Sequence, residues 1–302
     1  MQDPKGYVGR FAPTPSGPLH FGSLIAALGS YLDARANGGR WLLRIDDLDL
    51  PRAEPGADQH IQRTLEAYGF EWDGPVVYQS ERSEAYREAM DRLLHEGHLY
   101  PCGCSRREIR EIGHMGPFGP VYPGTCRNGL PEGKVARAMR LKTHHETVRF
   151  TDRLQGEIRQ TLAREIGDFV VRRADGIFAY HLAVVVDDAW QGVTDVVRGV
   201  DLIDSTPRQI YLQHLLGLPT PRYLHLPVAI NASGQKLSKQ NLAPAIPDED
   251  PLPNLMQALV FLNQHPPMEL LHGPLDEFWQ WAIAHWDPGR LPATREIHCP
   301  TD

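Results

Sequence analysis

Residues 10–24 read RFAPTPSGPLHFGSL, and the fold follows from how that stretch is parsed. A short apolar run, Tyr7 to Phe11, reads as a strand and ends in a turn with three prolines and a glycine. A helical pattern begins at His20, with Leu24, Ile25, Leu28, Tyr31 and Leu32 spaced three and four residues apart. It stops at Gly38-Gly39, a helix-ending signal. A strand feeding a glycine-containing turn and then a helix is a nucleotide-site arrangement. The first-turn N–H groups have no partner inside the helix, and the helix dipole puts partial positive charge where phosphates sit. An ordinary βα turn has the same outline, and two further features favour the nucleotide site. Lys236-Leu237-Ser238-Lys239 sets two lysines around a serine in a loop after an apolar strand, and Arg10 is a cation at a strand end facing the crevice.

The chain of 302 residues is long enough for one large domain or two moderate ones. Hydrophobic content of 41% and charged content of 23% are those of an ordinary globular protein. No apolar run approaches the roughly 20 residues that cross a bilayer, and the N-terminus MQDPKGYVGRF has no apolar signal core. No membrane partner and a cytoplasmic location are therefore expected. A net charge of −7 argues against bulk, charge-driven nucleic-acid binding, though not against a local basic patch. Cys102, Cys104, Cys126 and Cys299 do not read as a disulfide framework. Three of them are close in sequence, which suits a metal better, with His114 and Cys299 as conventional candidates for a fourth ligand.

Along the chain, Arg40 to Ile45 reads as a buried strand ending in Asp46-Asp47-Leu48-Asp49, where open α/β sheets place ligands. Asp47 and Asp49 are expected to be solvated or to act as structural caps. Helices are predicted from Pro55-Gly56 to Tyr68 and from Ser83 to Glu96, with a short strand at Val76 to Tyr78. From Leu99 to about Gly133 the character changes to an insertion, with Cys102-Gly103-Cys104, a capping box at Ser105 to Glu108, then a Gly- and Pro-rich stretch. Ala138 to Leu141 and Val148 to Asp152 read as further strands of it. Asp175-Gly176 is a hairpin signal between Asp168 to Arg172 and Ile177 to Val186. Val196 to Arg198 is a strand ending in a cation, Thr206-Pro207 reads as the cap and first residue of a helix to Leu216, and Leu224 to Ile230 is a strand leading into the lysine loop. Helices at Leu255 to Asn263 and Leu275 to His285 close the chain. No coiled-coil pattern is present, so a monomer is expected.

These residues resemble a class I aminoacyl-tRNA synthetase of the glutamyl branch. Pro18-Leu19-His20-Phe21-Gly22-Ser23 is similar to the family's HIGH signature, with Ser23 in place of the second histidine. Lys236-Leu237-Ser238-Lys239-Gln240 is similar to KMSKS, with Gln240 for the last serine. Arg10 to Gly17 and Arg44 to Asp49 resemble two glutamyl-branch motifs. The likeness runs from about Tyr7 to Pro247, in order and spacing. It implies an α/β fold: a Rossmann-like class I synthetase catalytic domain with a zinc-containing insertion and a short helical C-terminal part. The expected divisions are 1–98 and 161–247 for the two catalytic halves, 99–160 for the insertion and 248–302 for the helical end. Glutamyl-tRNA synthetases carry a large helical anticodon-binding region after the lysine loop, whereas this chain reaches Asp302 soon after it. That shortness, the Cys-x-Cys…Tyr-x₃-Cys insertion and the KLSKQ loop resemble the glutamyl-Q tRNA(Asp) synthetases.

The resemblance implies ATP-dependent activation of L-glutamate, without tRNA, and transfer to queuosine in the anticodon of tRNA(Asp). The alternatives are a truncated glutamyl-tRNA synthetase that charges a tRNA 3′ end and a catalytically idle paralogue that binds RNA or a protein. Activation has the glutamate carboxylate attack the α-phosphorus of ATP, so catalysis is mostly positioning and stabilisation of charge on phosphate oxygens. His20 at the helix start and Lys239 on the loop would be catalytic, with His20, Gly22, Ser23, Lys236 and Lys239 binding ATP. Mg²⁺ would accompany the β- and γ-phosphates. Glutamate carries two carboxylates and an ammonium, so its pocket wants two cations and an anion or dipoles, and Arg10 and Arg198 supply the cations. By resemblance Arg10 and Tyr180 hold the side-chain carboxylate, Arg198 the α-carboxylate, and Asp46 with Thr14 the ammonium, within a wall that includes Phe11, Ala12 and Pro13. Asp46 departs from the glutamyl pattern, which usually has a glutamate there; the lost methylene leaves room for a water or a backbone shift. Aspartate as substrate would strand Arg10 unpaired. Resemblance adds Tyr122 to Cys102, Cys104 and Cys126 as the ligands of a structural Zn²⁺.

Overall fold

A strand buried at every residue, β1 (Val8–Phe11), is the centre of the structure. The computed structural model describes residues 6–49, 53–237 and 243–299. After β1 come α1 (Phe21–Ala36), β2 (Arg40–Ile45), α2 (Ala57–Ala67), β3 (Val77–Tyr78) and α3 (Ser83–His95). The middle holds β4 (Leu99–Cys102), α4 (Arg106–Ile112), β5 (Met115–Gly116), β6 (Gly119–Pro120), β7 (Ala138–Leu141), β8 (Thr147–Asp152), β9 (Gly156–Thr161), α5 (Leu162–Glu165) and β10 (Phe169–Arg172). The last part contains α6 (Tyr180–Trp190), β11 (Asp195–Gly199), α7 (Thr206–Leu215), β12 (Arg222–Leu226), β13 (Val228–Ile230), α8 (Leu252–Phe261), α9 (Leu275–His285) and β14 (Glu296–His298).

β1, β2 and β3 pair in parallel in that order, and β11 pairs in parallel with β12. The two pieces meet at β1: Thr194, just before β11, donates its N–H to Val8 O at 2.9 Å, and Val8 donates to Thr194 Oγ1 at 2.9 Å. Chain order reverses direction across that junction. A crevice therefore opens at the C-terminal ends of β1 and β11, the place where doubly wound sheets bind ligands. Arg10 and Arg198 are each the penultimate residue of one of those strands.

α1 covers the junction. Its residues Leu24, Leu28 and Leu32 are fully buried. Gly29 lets the end of β12 come close, since a Cβ there would lie 2.5 Å from Leu226 Cδ1. Beyond α1, Leu255 and Leu259 of α8 and Phe278 of α9 join the same core as Trp41 and Leu43 of β2. Tyr31, Trp41, Phe70 and Trp279 pack ring to ring within it, with neighbouring centroids 4.8 to 5.6 Å apart. A second core gathers Tyr86 of α3, Leu99 of β4, Leu141 of β7, Phe169 of β10, Leu182 of α6 and Leu212 of α7. The middle of the chain pairs antiparallel, as a sheet in the order β10-β7-β4 and a β8–β9 hairpin.

Three expectations need correction. The turn at Asp175-Gly176 forms, with Arg173 N–H to Ile177 O at 2.8 Å and Gly176 at φ +87°, but it leads into α6 rather than a returning strand. Leu182 to Val186 is apolar on every side, and such a run has no period to separate strand from helix. Burial against α3 and α7 favours the helix over the β preference of its valines. The predicted strand from Leu224 to Ile230 is broken at Pro227 into β12 and β13, since proline has no N–H for the ladder. Thr206 is not the cap of α7 but its first residue, after Ser205. Among the described residues no helix is long and apolar enough to cross a membrane.

Candidate active site

The crevice is a cleft of about 500 Å³. Its floor is Arg10 and Phe11 of β1 with Ala12, Pro13 and Thr14 of the turn; Asp46 beyond β2 also lines it. Its far wall is Arg198 of β11 and Tyr180 at the start of α6, and its roof is His20, Gly22 and Ser23 of α1 with Lys236. Every residue expected from the sequence to bind ATP or glutamate is thus brought to one cleft except Lys239, which lies outside the described residues together with Ser238 and Gln240.

Arg10 is 4% exposed. Its Nε and Nη2 point at the carboxylate of Asp188, at 3.3 to 3.4 Å. Asp188 in turn accepts from Arg44 Nη1 at 2.6 Å, and Arg44 Nε donates to Asp46 Oδ1 at 2.8 Å. Arg10, Asp188, Arg44 and Asp46 therefore form one buried chain of alternating charge. Burial works to raise the Asp188 pKa, but Arg10 and Arg44 together hold it below the usual carboxylate range. Asp46 goes the other way: burial outweighs the pull of Arg44 and pushes its carboxyl up to about 6. At neutral pH it is still an anion, one whose charge a ligand cation would stabilise. The sequence reading missed Asp188 and Arg44. The available signals were a cation inside the buried run RWLLRI and the Asp187-Asp188 pair closing the apolar run of α6. Asp47 acts as a cap, accepting from Ser80 N–H at 2.8 Å and Ser80 Oγ at 2.6 Å, whereas Asp49 takes a role not expected of it, an ion pair with Arg173 at 3.1 Å.

Arg198 is held by uncharged acceptors. Its Nε donates to His225 Nε2 at 3.1 Å, and its Nη2 donates to Thr206 Oγ1 and Gln209 Oε1, each at 2.8 Å. Its Nη1 reaches Tyr180 Oη at 3.3 Å. From the sequence Thr206 is expected to cap a helix; here its hydroxyl serves the guanidinium.

His20 is the N-cap of α1, its Nδ1 accepting from Ser23 N–H at 3.2 Å. That nitrogen is therefore unprotonated, and the neutral ring carries its proton on Nε2. At Gly22 a Cβ would lie 3.0 Å from Leu237 O and 3.1 Å from the His20 ring. The glycine is what lets the chain leading into the lysine loop press against the helix start. The returning chain is tied to the same place, Ile246 N–H donating to Leu19 O at 3.0 Å. Both flanks of the loop are thus anchored beside His20. Lys236 pairs with Asp201 at 2.6 Å, a residue at the cleft mouth that carried no sequence signal.

A second cluster lies in the insertion. Cys102, Cys104 and Cys126 are buried, and their sulfurs fall within 4.8 Å of one another. Cys104 Sγ is 3.6 Å from Cys126 Sγ, and Tyr122 Oη is 3.3 Å from Cys102 Sγ and 3.8 Å from Cys104 Sγ. A tetrahedron with metal–sulfur bonds of about 2.3 Å has edges of about 3.8 Å, so the spacing of this donor set fits zinc. Of the other candidates for a fourth ligand, His114 is exposed and Cys299 packs in the main core, so neither joins the cluster. Arg140 stacks 3.9 Å over the Tyr122 ring and donates from Nε to Cys102 Sγ at 3.2 Å, so a cation backs the sulfurs.

A family model for class I tRNA synthetases (E and Q), catalytic domain, matches residues 7–253. The glutamyl-Q tRNA(Asp) synthetase of Aromatoleum aromaticum is 55% identical over 97% of this chain and 93% of its own length. That of Chromobacterium violaceum is 58% identical over 95% of this chain and 96% of its own. Among solved structures, a glutamate tRNA ligase from Elizabethkingia meningosepticum, in complex with its amino acid, superposes with a TM-score of 0.79 at 25% identity. The match covers 97% of this chain and 67% of that one. The chain belongs to the class I tRNA synthetase (E and Q) catalytic-domain family, on the branch of the glutamyl-Q tRNA(Asp) synthetases.

Proposed function

We propose that this protein activates L-glutamate with ATP, without needing RNA for that step, and transfers the glutamyl group to queuosine in the anticodon of tRNA(Asp). The relatives bear that name, and one observation in the cleft supports the amino acid. Two guanidiniums, Arg10 and Arg198, stand at the ends of adjacent parallel strands, buried and already oriented by fixed partners. Arg198 meets only uncharged acceptors among the described residues, and Arg10 shares the one carboxylate of Asp188 with Arg44, so each has charge to offer a substrate carboxylate. Arg10 is thus not stranded unpaired by a shorter substrate, contrary to the expectation from the sequence.

In this reading Arg10 with Tyr180 takes the side-chain carboxylate and Arg198 the α-carboxylate, while Asp46 and Thr14 take the ammonium. ATP lies along Gly22 and Ser23 at the start of α1. An oxygen of the α-carboxylate attacks the α-phosphorus and pyrophosphate leaves. His20 donates from Nε2 to the phosphate oxygens, and Lys236 and Lys239 add positive charge. At about 4 Å and an effective dielectric near 20, one lysine and one oxyanion attract by roughly 4 kcal/mol before desolvation. Mg²⁺ would come with the nucleotide and supply screening of its phosphate charge. Cys102, Cys104, Cys126 and Tyr122 would hold a zinc ion whose chemistry is structural, pinning a segment with little core of its own.

The test is glutamate-dependent ATP–pyrophosphate exchange with purified protein and no RNA. Exchange is expected with glutamate and not with aspartate. Exchange that appears only on adding tRNA(Glu) would instead mark a 3′-end charging enzyme.

A further inference from the structure

We infer that His225 is a positioning residue for Arg198: it holds the guanidinium in the plane that receives the α-carboxylate of glutamate, and Asp152 holds it in one tautomer. The inference rests on the glutamate reading above and adds to it the residues that aim one of its two arginines. His225 and Asp152 are 0% and 2% exposed, and neither has a part in that reading. Burying two ionisable groups is costly unless their hydrogen bonds are made.

The partners of His225 are consistent with a single tautomer. Nδ1 lies 2.6 Å from Asp152 Oδ2, and Nε2 lies 3.1 Å from Arg198 Nε, which can only donate. Nδ1 therefore carries the proton and Nε2 accepts. Burial pushes the His225 pKa down to about 4; Asp152 pulls against this and Arg198 adds to it. The ring is thus neutral under ordinary conditions. Asp152 is fixed in turn, its Oδ1 accepting from Leu154 N–H at 3.0 Å and Gln155 N–H at 2.9 Å.

A neutral acceptor has a consequence that a carboxylate would not. Every acceptor recorded on Arg198 among the described residues is uncharged: His225, Thr206, Gln209, Tyr180 and the Leu202 carbonyl. The guanidinium is oriented without being neutralised, so its charge remains for an incoming carboxylate. Arg10, by contrast, already faces Asp188. With Nε and Nη2 committed to the protein, Nη1 is the nitrogen presented to the cleft beside Tyr180 Oη. The N–H groups of Nη1 lie in the guanidinium plane, so they meet a carboxylate oxygen only when that plane is set, and the acceptor at Nε helps to set it.

The test compares calorimetric binding of L-glutamate and of 4-aminobutyrate, which is glutamate without its α-carboxylate, to the full chain. His225→Leu is expected to weaken glutamate by about tenfold, as for a lost hydrogen bond to a charged group, and to leave 4-aminobutyrate unchanged. His225→Gln, whose amide can accept from Arg198 and donate to Asp152, is expected to stay within about threefold of wild type. Should the leucine variant fail to fold, His225→Asn takes its place. Its amide is too short to span both partners, and the same selective loss is expected. Equal glutamate binding by the folded leucine or asparagine variant, or equal weakening of both ligands, would overturn the positioning role. A wild-type protein that binds no glutamate would overturn the glutamate reading itself.

Discussion

Asp188 stands between two buried guanidiniums, at hydrogen-bond distance from both Arg10 and Arg44. Removing its charge leaves both cations short of compensation in a dry setting, and breaking such a buried pair costs about 3 to 5 kcal/mol. Asp188→Asn retains one acceptor, so a loss of about 3 kcal/mol in urea unfolding is expected; a change below about 1 kcal/mol would show that the pocket does not depend on this counter-charge. Asp46 gives a pH dependence of opposite sign to that of an ordinary paired carboxylate. Its folded pKa of about 6 lies above the ordinary aspartate value of 3.8, so the folded state holds this proton more tightly than the unfolded chain. The stabilisation it contributes is fully present at low pH and is lost as pH rises through about 6. Glutamate binding runs the other way, because the ammonium needs the carboxylate ionised. The KM for glutamate in the exchange reaction is expected to rise as pH falls through about 6, and Asp46→Asn should raise it above that pH and flatten the profile. A wild-type KM that stays flat from about pH 7.5 to about pH 5.5 would remove Asp46 from the ammonium site. That Asp46 borders the cleft was legible, since three carboxylates come after a buried strand. That it is tied to Arg10 through Arg44 and Asp188 was not: Arg10 and Asp188 are 178 positions apart, and no local pattern encodes such a partner.

α1 was the most legible element, because its apolar period, its start at His20 and its glycine stop agree with one another. The close approach at Gly22 gives it a second task beside covering the sheet. Alanine is a better helix former than glycine by about 1 kcal/mol, and Gly22 is helical. Gly22→Ala should therefore not destabilise the helix as such. The new Cβ, however, would press on Leu237 O and the His20 ring, displacing the chain that leads into the lysine loop. The expected outcome is a thermal midpoint equal to or above that of wild type, with the exchange rate constant lowered about tenfold, equivalent to about 1.4 kcal/mol in the barrier. An unchanged rate would mean that the loop can retreat without consequence. α6 shows where element-level reading fails. Its valines suggest a strand and its first residue comes soon after a real hairpin turn, so the local signals agreed on the wrong answer. Only the packing partners α3 and α7, distant in sequence, make the helix the better way to bury a run with no polar side.

Across the whole molecule, the parallel sheet and its crevice followed from the order of strands, helices and turns, while the sharing of cores did not. Phe278, Trp279 and Trp286 lie far along the chain from Tyr31, Trp41 and Asp33, yet they complete the core under α1, with Trp286 Nε1 donating to Asp33 at 3.1 Å. The cysteine cluster is organised differently. Cys102, Cys104, Tyr122 and Cys126 pack with Tyr100 in a small group apart from both large cores, and the surrounding α4 has no buried residue. So little apolar surface cannot hold residues 102–137 in place by itself, given a backbone entropy cost of about 1 to 2 kcal/mol per residue. A metal held by three thiolates and a phenol oxygen would supply what burial does not. Purified protein is accordingly expected to carry about one zinc per chain by elemental analysis, and Cys102→Ser to lower that content sharply. Stripping the metal with a chelator should speed amide hydrogen exchange across residues 102–137 while α1 and β1 stay protected, because the parallel sheet does not draw on this cluster. Glutamate-dependent pyrophosphate exchange should persist for the same reason, since the cleft is lined by β1, α1 and β11. Protein that carries no zinc, or an insertion equally protected with and without chelator, would show that packing alone holds the segment and that the three thiols sit together without a metal.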